Sequence, residues 1–227
     1  MAQSLMKLNN LISFLVLQIA KIFYHFNFWS IRSDYEQVLN KHQKIKSENI
    51  PLIIFEMLII AEDRKYFNHK GIDIFAIFRA IISIFKGKLQ GASTITQQYV
   101  RVLSGYYEIS LKRKIREIFL TLLLNKKFNK SSVLNNYLKI AYFGYGLIGL
   151  ETTLSRLKYY KTNLTIHQSA SIVARLKYPD RKSKDLIIET LRKKRTLYLA
   201  KLYKGFYSDN ESSAKLSYLA KPSLDNA

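Results

Sequence analysis

The apolar positions of this chain fall into long runs that are broken by charge more often than by glycine or proline. The first run goes from Leu11 to Ala20, interrupted at Ser13 and Gln18, and resumes as Ile22, Phe23, Tyr24, Phe26, Phe28 and Trp29. A bilayer-spanning helix takes roughly 20 mainly apolar residues. Lys21 would cost about 2.5–3.5 kcal/mol at the bilayer centre, less if it lies off-centre and snorkels. The pattern therefore predicts an anchor over residues 8–30, either a single membrane-spanning helix or an interfacial amphipathic one. In both cases the aromatic cluster from Phe23 to Trp29 suits the membrane–water boundary. No small-residue cleavage site follows, so the segment reads as retained rather than removed as a signal peptide.

Residues 31–49 are polar and read as a linker or a short helix. Pro51 then opens an apolar helix through Leu52, Phe55, Leu58 and Ile59, its fixed φ suiting a first turn. The segment Ile74 to Phe85 is broken by Arg79 and Ser83 alone and is followed by Lys86 and Lys88. It is too short to span a bilayer. It fits a core helix, or a membrane-dipping element presenting Phe75, Phe78 and Phe85. After a turn at Gly91, Thr94 and Gln97 have the spacing of a capping box for a helix to about Leu103. Ser110 can cap a helix to about Lys127 whose apolar face is Ile115, Ile118, Phe119, Leu122 and Leu123. Another helix is expected from near Ser131 to Tyr142, then a turn region at Gly144, Gly146 and Gly149. Thr165 with Gln168 opens a helix that Pro179 stops. A basic helix over Leu186 to Leu202 follows, and residues 206–227 form a polar tail. With 3 prolines and 8 glycines in 227 residues, the periodicity predicts an all-α domain over residues 45–205.

Charge changes the picture more than composition does. The hydrophobic fraction of 48% excludes wholesale disorder. Against it stand 37 Lys and Arg with 16 Asp and Glu, a formal net charge of +21. Such a surplus attracts a polyanion: nucleic acid, an anionic membrane or a phosphate-bearing substrate. A nucleic-acid module would draw on 16 Tyr and 13 Phe, yet these lie mostly in apolar helical runs and no known binding motif is present. A nucleic-acid partner is not expected. The lack of cysteine excludes disulfides, thiolate zinc sites and thiol nucleophiles.

Three polar clusters carry candidate chemistry. In Glu62-Asp63-Arg64-Lys65-Tyr66-Phe67-Asn68-His69, two acids end an apolar helix, where partial desolvation suits a general base. The same residues could be no more than a helix-end ion pair with Arg64. In Gly91-Ala92-Ser93-Thr94-Ile95-Thr96-Gln97-Gln98, a helix start with hydroxyls and amides can hold phosphates and sugars, or can be a turn and a cap. In Lys112-Arg113-Lys114-Ile115-Arg116-Glu117, four cations surround one acid, with Arg113 and Glu117 at i, i+4 spacing. That block could neutralise a diphosphate, or be a solvated basic face.

Together and in this order, EDRKYFNHKG, GASTITQQ and KRKIRE resemble the first three motifs of glycosyltransferase family 51. This family comprises the transglycosylase domains of bifunctional penicillin-binding proteins and the monofunctional peptidoglycan transglycosylases. A weaker fourth motif is visible at Val133-Leu134-Asn135-Asn136-Tyr137-Leu138 with Tyr142-Phe143-Gly144, and a degraded fifth at Ala170 to Pro179. The resemblance covers residues 45–200. It implies an all-α, lysozyme-like transglycosylase domain with a small membrane-contacting lobe, polymerising lipid II outside the cytoplasmic membrane. On this analogy Glu62 is the general base and Glu117 the donor-side catalytic carboxylate. Asp63, Arg64, Phe67, His69, Ser93, Thr94, Gln97, Gln98, Arg101, Arg113, Lys114 and Arg116 hold the substrates or the two glutamates. The implied partners are lipid II, the growing glycan strand, an anionic membrane surface and other cell-wall synthesis proteins. No cofactor follows from the residues themselves; the resemblance raises a divalent cation such as Mg2+ or Mn2+ near Glu117.

The chain also departs from the family pattern. Arg101-Val102 stands where Lys-Asn is usual. Ile109, beside Glu108, replaces a basic residue eight positions before the third-motif glutamate. Asn135 and Lys139 replace a carboxylate and an amide in the fourth motif, and Tyr159-Tyr160-Lys161 is an eroded YFGK. These changes leave a divergent, weakly active or scaffolding member as an alternative, and paired carboxylates also serve a lysozyme-like hydrolase.

Overall fold

The computed structural model describes residues 2–46, 48–85, 87 and 91–208; Lys86, Lys88 and residues 209–227 of the expected polar tail lie outside them, as does the Phe85 side chain. Among the described residues the chain is all-α apart from one two-stranded hairpin and an isolated bridge. It forms two compact units, one of Met1–Lys46 with Lys65–Val133, the other of Ser47–Arg64 with Leu134–Ala227.

The first unit starts with helix α1 (Ala2–His25), which begins earlier than residue 8 because nothing between Gln3 and Lys7 breaks a helix. One stripe of α1 is docked on the unit. Asn9, Ser13 and Ala20 are buried, and Val16, Leu17, Phe23 and Tyr24 pack with Ile31, Tyr35, Ile115, Ile118, Phe119 and Leu123. The opposite stripe of Leu5, Leu8, Leu11, Leu15, Ile19 and Ile22 is exposed. Residues 26–30 leave the helix, with Asn27, Trp29 and Ser30 at positive φ, and Phe23 meets Phe28, Trp29 and Phe119 edge-on.

The polar stretch after it is a full helix, α2 (Ile31–Lys44), burying Ile31, Asp34, Val38 and His42. Two of those four are polar, and this hides its periodicity. Asp34 is matched by Arg116 at 3.1 Å and the Tyr106 hydroxyl at 2.9 Å, and His42 by the Tyr99 hydroxyl at 2.8 Å. Helix α4 (Ile74–Phe85) buries Ala80 and leaves Phe78 and Ile82 exposed. Helix α5 (Ile95–Ser104) carries the expected capping box and ends at Gly105 in the left-handed conformation. Helix α6 (Leu111–Lys127) is capped by Ser110 and buries Phe119, Leu120, Leu122, Leu123 and Leu124.

In the second unit, α3 (Leu52–Glu62), α9 (Ile166–Lys177) and α10 (Leu186–Ser208) pack together. Ile54, Met57, Leu58 and Ile59 meet a core that includes Ile172, Val173, Ala174 and Leu199. Buried Glu56 accepts a 2.6 Å hydrogen bond from the Tyr203 hydroxyl, which pushes that phenol well above its ordinary pKa through burial first and the carboxylate second. Because α10 runs to Ser208, a tail boundary at residue 206 falls inside its last turn.

Helix α7 (Lys130–Ile140) leads into strands β1 (Tyr142–Gly144) and β2 (Leu147–Ile148), paired antiparallel with Tyr142 opposite Ile148. The three glycines thus serve a hairpin and the start of an unexpected helix, α8 (Leu150–Leu157). Gly144, at φ +151, bridges Asp180, and a Cβ there would lie 2.6 Å from the Asp180 backbone nitrogen. Asp180 is itself fixed by Arg175 at 3.0 Å and by Arg192. Gly144→Ala should therefore lower unfolding stability by about 2 kcal/mol or more. Denaturant titration of the full chain checks this, and an unchanged midpoint would contradict it.

Candidate active site

The most organised polar cluster lies in the first unit, around Glu117. This carboxylate is buried at 4% exposure. Its Oε2 accepts from Arg101 Nε at 2.8 Å and from an Arg113 guanidinium nitrogen at 2.6 Å, and its Oε1 from Lys114 Nζ at 2.6 Å. The Ser93 hydroxyl joins them, accepting from Arg101 at 3.2 Å and from Lys114 at 2.9 Å. Helical geometry selects the members. Residues 113 and 114 lie four and three positions before 117 and share its face. Arg101 reaches in from α5.

The remaining cations of the basic run do not join this cluster. Lys112 lies over the Trp29 ring at 5.8 Å. Arg116 pairs with Asp34, donates to the Trp29 carbonyl and stacks on Tyr106 at 4.8 Å. One residue of helix is about 100° of rotation, so 112 and 116 form a separate i, i+4 pair that ties α6 to α2 and the aromatic turn. Arg116, expected to contact substrate, is held here by these structural partners and lies outside the Glu117 cluster.

Three cations on one carboxylate leave the cluster positive. Burial alone would push Glu117 up, but hydrogen bonds and charge from Arg101 and Lys114 outweigh it and hold the carboxyl below its ordinary range. Lys114 is also lowered, first by burial and then by Arg101 and Arg113, against the opposing pull of Glu117. The charge surplus itself is a matter of geometry: three cations meet a single carboxylate. The arrangement can take an anion with several oxygens, such as a diphosphate.

The neighbouring motif residues divide by role. Thr94 and Gln97 are buried and close the capping box, and the Thr94 hydroxyl also donates to the Gly71 carbonyl at 2.6 Å. Gln98 on the same helix is half-buried. His69 is buried; its Nδ1 faces the Gly71 N–H at 3.1 Å and Lys130 Nζ at 3.4 Å. Phe67 packs edge-on against Tyr66, which is fully buried. These side chains shape the loop before α4.

In the second unit, Glu62 is the last residue of α3 and is half-buried. Arg195 of α10 donates to its Oε1 at 3.2 Å and to the Ala61 carbonyl at 3.0 Å. The same guanidinium therefore also satisfies a helix-end carbonyl. Arg195 was not among the sequence candidates. Its only local signal is its place in the basic helix over Leu186 to Leu202, and its partner is 133 positions away. Asp63 is the buried C-cap, its N–H on the Ile59 carbonyl at 2.9 Å, and Arg64 extends outward over the Phe206 ring at 5.7 Å.

The departures from the family pattern have local partners. Asn135 pairs through its amide with both backbone groups of Glu48, at 2.6 and 3.4 Å, and Lys139 binds the Glu48 carboxylate at 2.9 Å. The gained base is thus matched by the Glu48 carboxylate, and the amide at 135 by the backbone of the same residue. Arg101 meets Glu117 and Ser93 through two nitrogens, which a lysine could not do in that geometry. Ile109 is fully exposed.

A divalent cation at Glu117 would need free carboxylate lone pairs. Both oxygens are occupied by cations that would repel it, and no cluster of three His, Asp or Glu side chains occurs among the described residues. The residues present do not fit such an ion.

Comparison with known proteins gives a consistent result. The model of the transglycosylase family matches residues 32–203, from α2 to α10. Penicillin-binding protein 1A of Rickettsia typhi is 30% identical over 180 residues, covering 76% of this chain and 23% of that protein. Penicillin-binding protein 1A of Clostridium perfringens is 38% identical over 129 residues, covering 53% of this chain and 19% of its own length. The monofunctional glycosyltransferase of Staphylococcus aureus is 30% identical over 152 residues, covering 63% and 56% respectively. The chain thus spans under a quarter of the rickettsial relative.

Proposed function

The chain belongs to the transglycosylase family, and from that premise we propose that it is a peptidoglycan glycosyltransferase that polymerises lipid II into glycan strands. The observation that supports this reading is the cation surplus around Glu117, which suits a diphosphate by charge and hydrogen-bonding capacity. Glu62 takes the proton from the 4-hydroxyl of the acceptor N-acetylglucosamine. The freed oxygen attacks C1 of the donor N-acetylmuramic acid and inverts that centre. The C1–oxygen bond to undecaprenyl diphosphate breaks, and the leaving group keeps the electron pair. Arg101, Arg113 and Lys114 with the Ser93 hydroxyl stabilise the charge that develops there. Glu117 holds these cations in place, and Arg195 holds Glu62.

Membrane attachment fits the same substrate. Gln3–His25 is long and apolar enough to cross a bilayer, with mean hydropathy 1.3. The exposed stripe of α1, with Phe78 and Ile82 of α4, supports a lipid-facing side of the first unit. The reading places the chain in the cytoplasmic membrane with the catalytic domain on its outer face, where lipid II and cell-wall partners meet it.

The test is incubation of the detergent-solubilised full chain with fluorescent lipid II, followed by gel separation of glycan chains. A ladder of polymer is expected. Absence of polymer, or shortening of preformed strands instead, would overturn the reading, the latter in favour of a hydrolase.

A further inference from the structure

We propose that Asn9 is a positioning residue through which the N-terminal helix holds the loop between the first motif and α4. Asn9 lies in a mainly apolar helix yet is buried at 5% exposure. Its amide donates to the Ile72 carbonyl at 3.2 Å and accepts from the Ile74 N–H at 2.9 Å. Ile74 is the first residue of α4, so its N–H has no partner inside the helix. Asp73 supplies the local cap, accepting from the Ala76 N–H at 2.9 Å. The start of α4 is therefore capped twice, once by a neighbour and once by a side chain 65 positions away.

From that clasp a short path leads to the cation cluster. The Ile72 carbonyl is one residue from Gly71, whose carbonyl accepts from the Thr94 hydroxyl at 2.6 Å. Thr94 adjoins Ser93, which accepts from Arg101 and Lys114. Nothing apolar can replace the Asn9 amide. Without it the buried Ile72 carbonyl and the partly buried Ile74 N–H lose this partner. On this view α1, besides carrying the lipid-facing stripe, is a fixed wall of the first unit, and its seating sets the geometry of residues 71–76. The effect on turnover rests on the glycosyltransferase reading; the clasp itself does not.

The test uses the full chain in lipid nanodiscs and compares Asn9→Leu, Asn9→Gln and Gln18→Leu. Gln18 is the control, since its amide bonds stay within α1. Hydrogen exchange is followed over residues 69–80, with α9 as the check that the fold persists. In Asn9→Leu, exchange over residues 72–77 should speed up by about tenfold or more, with α9 unchanged and the protein still membrane-bound. Turnover of lipid II should fall about tenfold. Asn9→Gln, which keeps an amide, should recover part of both, and Gln18→Leu should match the parent chain. Unchanged exchange over 72–77 in Asn9→Leu, or equal acceleration in Gln18→Leu, would overturn the clasp. Faster exchange with full turnover would overturn the positioning role. Faster exchange in a protein whose parent chain makes no polymer would sink the glycosyltransferase reading and leave the clasp standing.

Discussion

Glu62→Gln should reduce the initial rate of lipid II polymerisation by about a hundredfold or more, the range that general bases supply. The amide has nearly the shape of the carboxylate but cannot take a proton from the acceptor hydroxyl. Folding should be nearly unaffected. Glu62 and Arg195 are both partly exposed as a pair, and such pairs are worth at most about 1 kcal/mol. Arg195 also retains its bond to the Ala61 carbonyl. Initial rates and thermal unfolding on the same preparation separate the two effects. A rate close to that of the parent chain would remove Glu62 as the base.

Glu117→Gln should damage both turnover and stability. Its side chain is buried and contacts three cations, so neutralising it leaves Arg101, Arg113 and Lys114 to repel one another. Losing one partner of a buried ion cluster costs several kcal/mol. Because all three cations are partly exposed, about 2 kcal/mol is the expectation here. Acid should reveal the same group. The folded state holds Glu117 below its ordinary value of 4.5. A lowered carboxyl contributes stability that is present above the unfolded value and is lost as pH falls through the folded one. The parent chain should therefore lose stability steeply below about pH 4.5, and Glu117→Gln should show a shallower acid limb. Parallel acid limbs in the two proteins, measured by denaturant titration across pH, would reduce Glu117 to a minor contributor.

What could be read from the sequence was what is encoded locally. The Thr94–Gln97 and Thr165–Gln168 capping boxes and the inner face of α6 are patterns within a turn or two, and the structure has them. The clamp of Arg113, Lys114 and Glu117 also follows from spacing along one helix. Arg116 was grouped with it because a run of charges was read as one surface, although the helical period sends residues 112 and 116 toward Trp29 and Asp34. Helix α2 was obscured because Asp34 and His42 are buried, and their justification lies far away at Arg116 and Tyr99. Arg195 on Glu62 and Asn9 on Ile72 and Ile74 are contacts across 133, 63 and 65 positions. No local pattern announces such pairs. The fourth-motif departures share a partner that is distant in sequence, Glu48, which meets both Asn135 and Lys139.

The claim on which the rest depends is that this chain joins sugars by displacing a lipid diphosphate with inversion. Its most direct test is a reaction of the full chain with lipid II in which released undecaprenyl diphosphate is counted against new glycosidic bonds, and the configuration at C1 is assigned by NMR. One diphosphate per bond with inverted configuration is the predicted result. Retained configuration, or bond formation without stoichiometric diphosphate release, would contradict it.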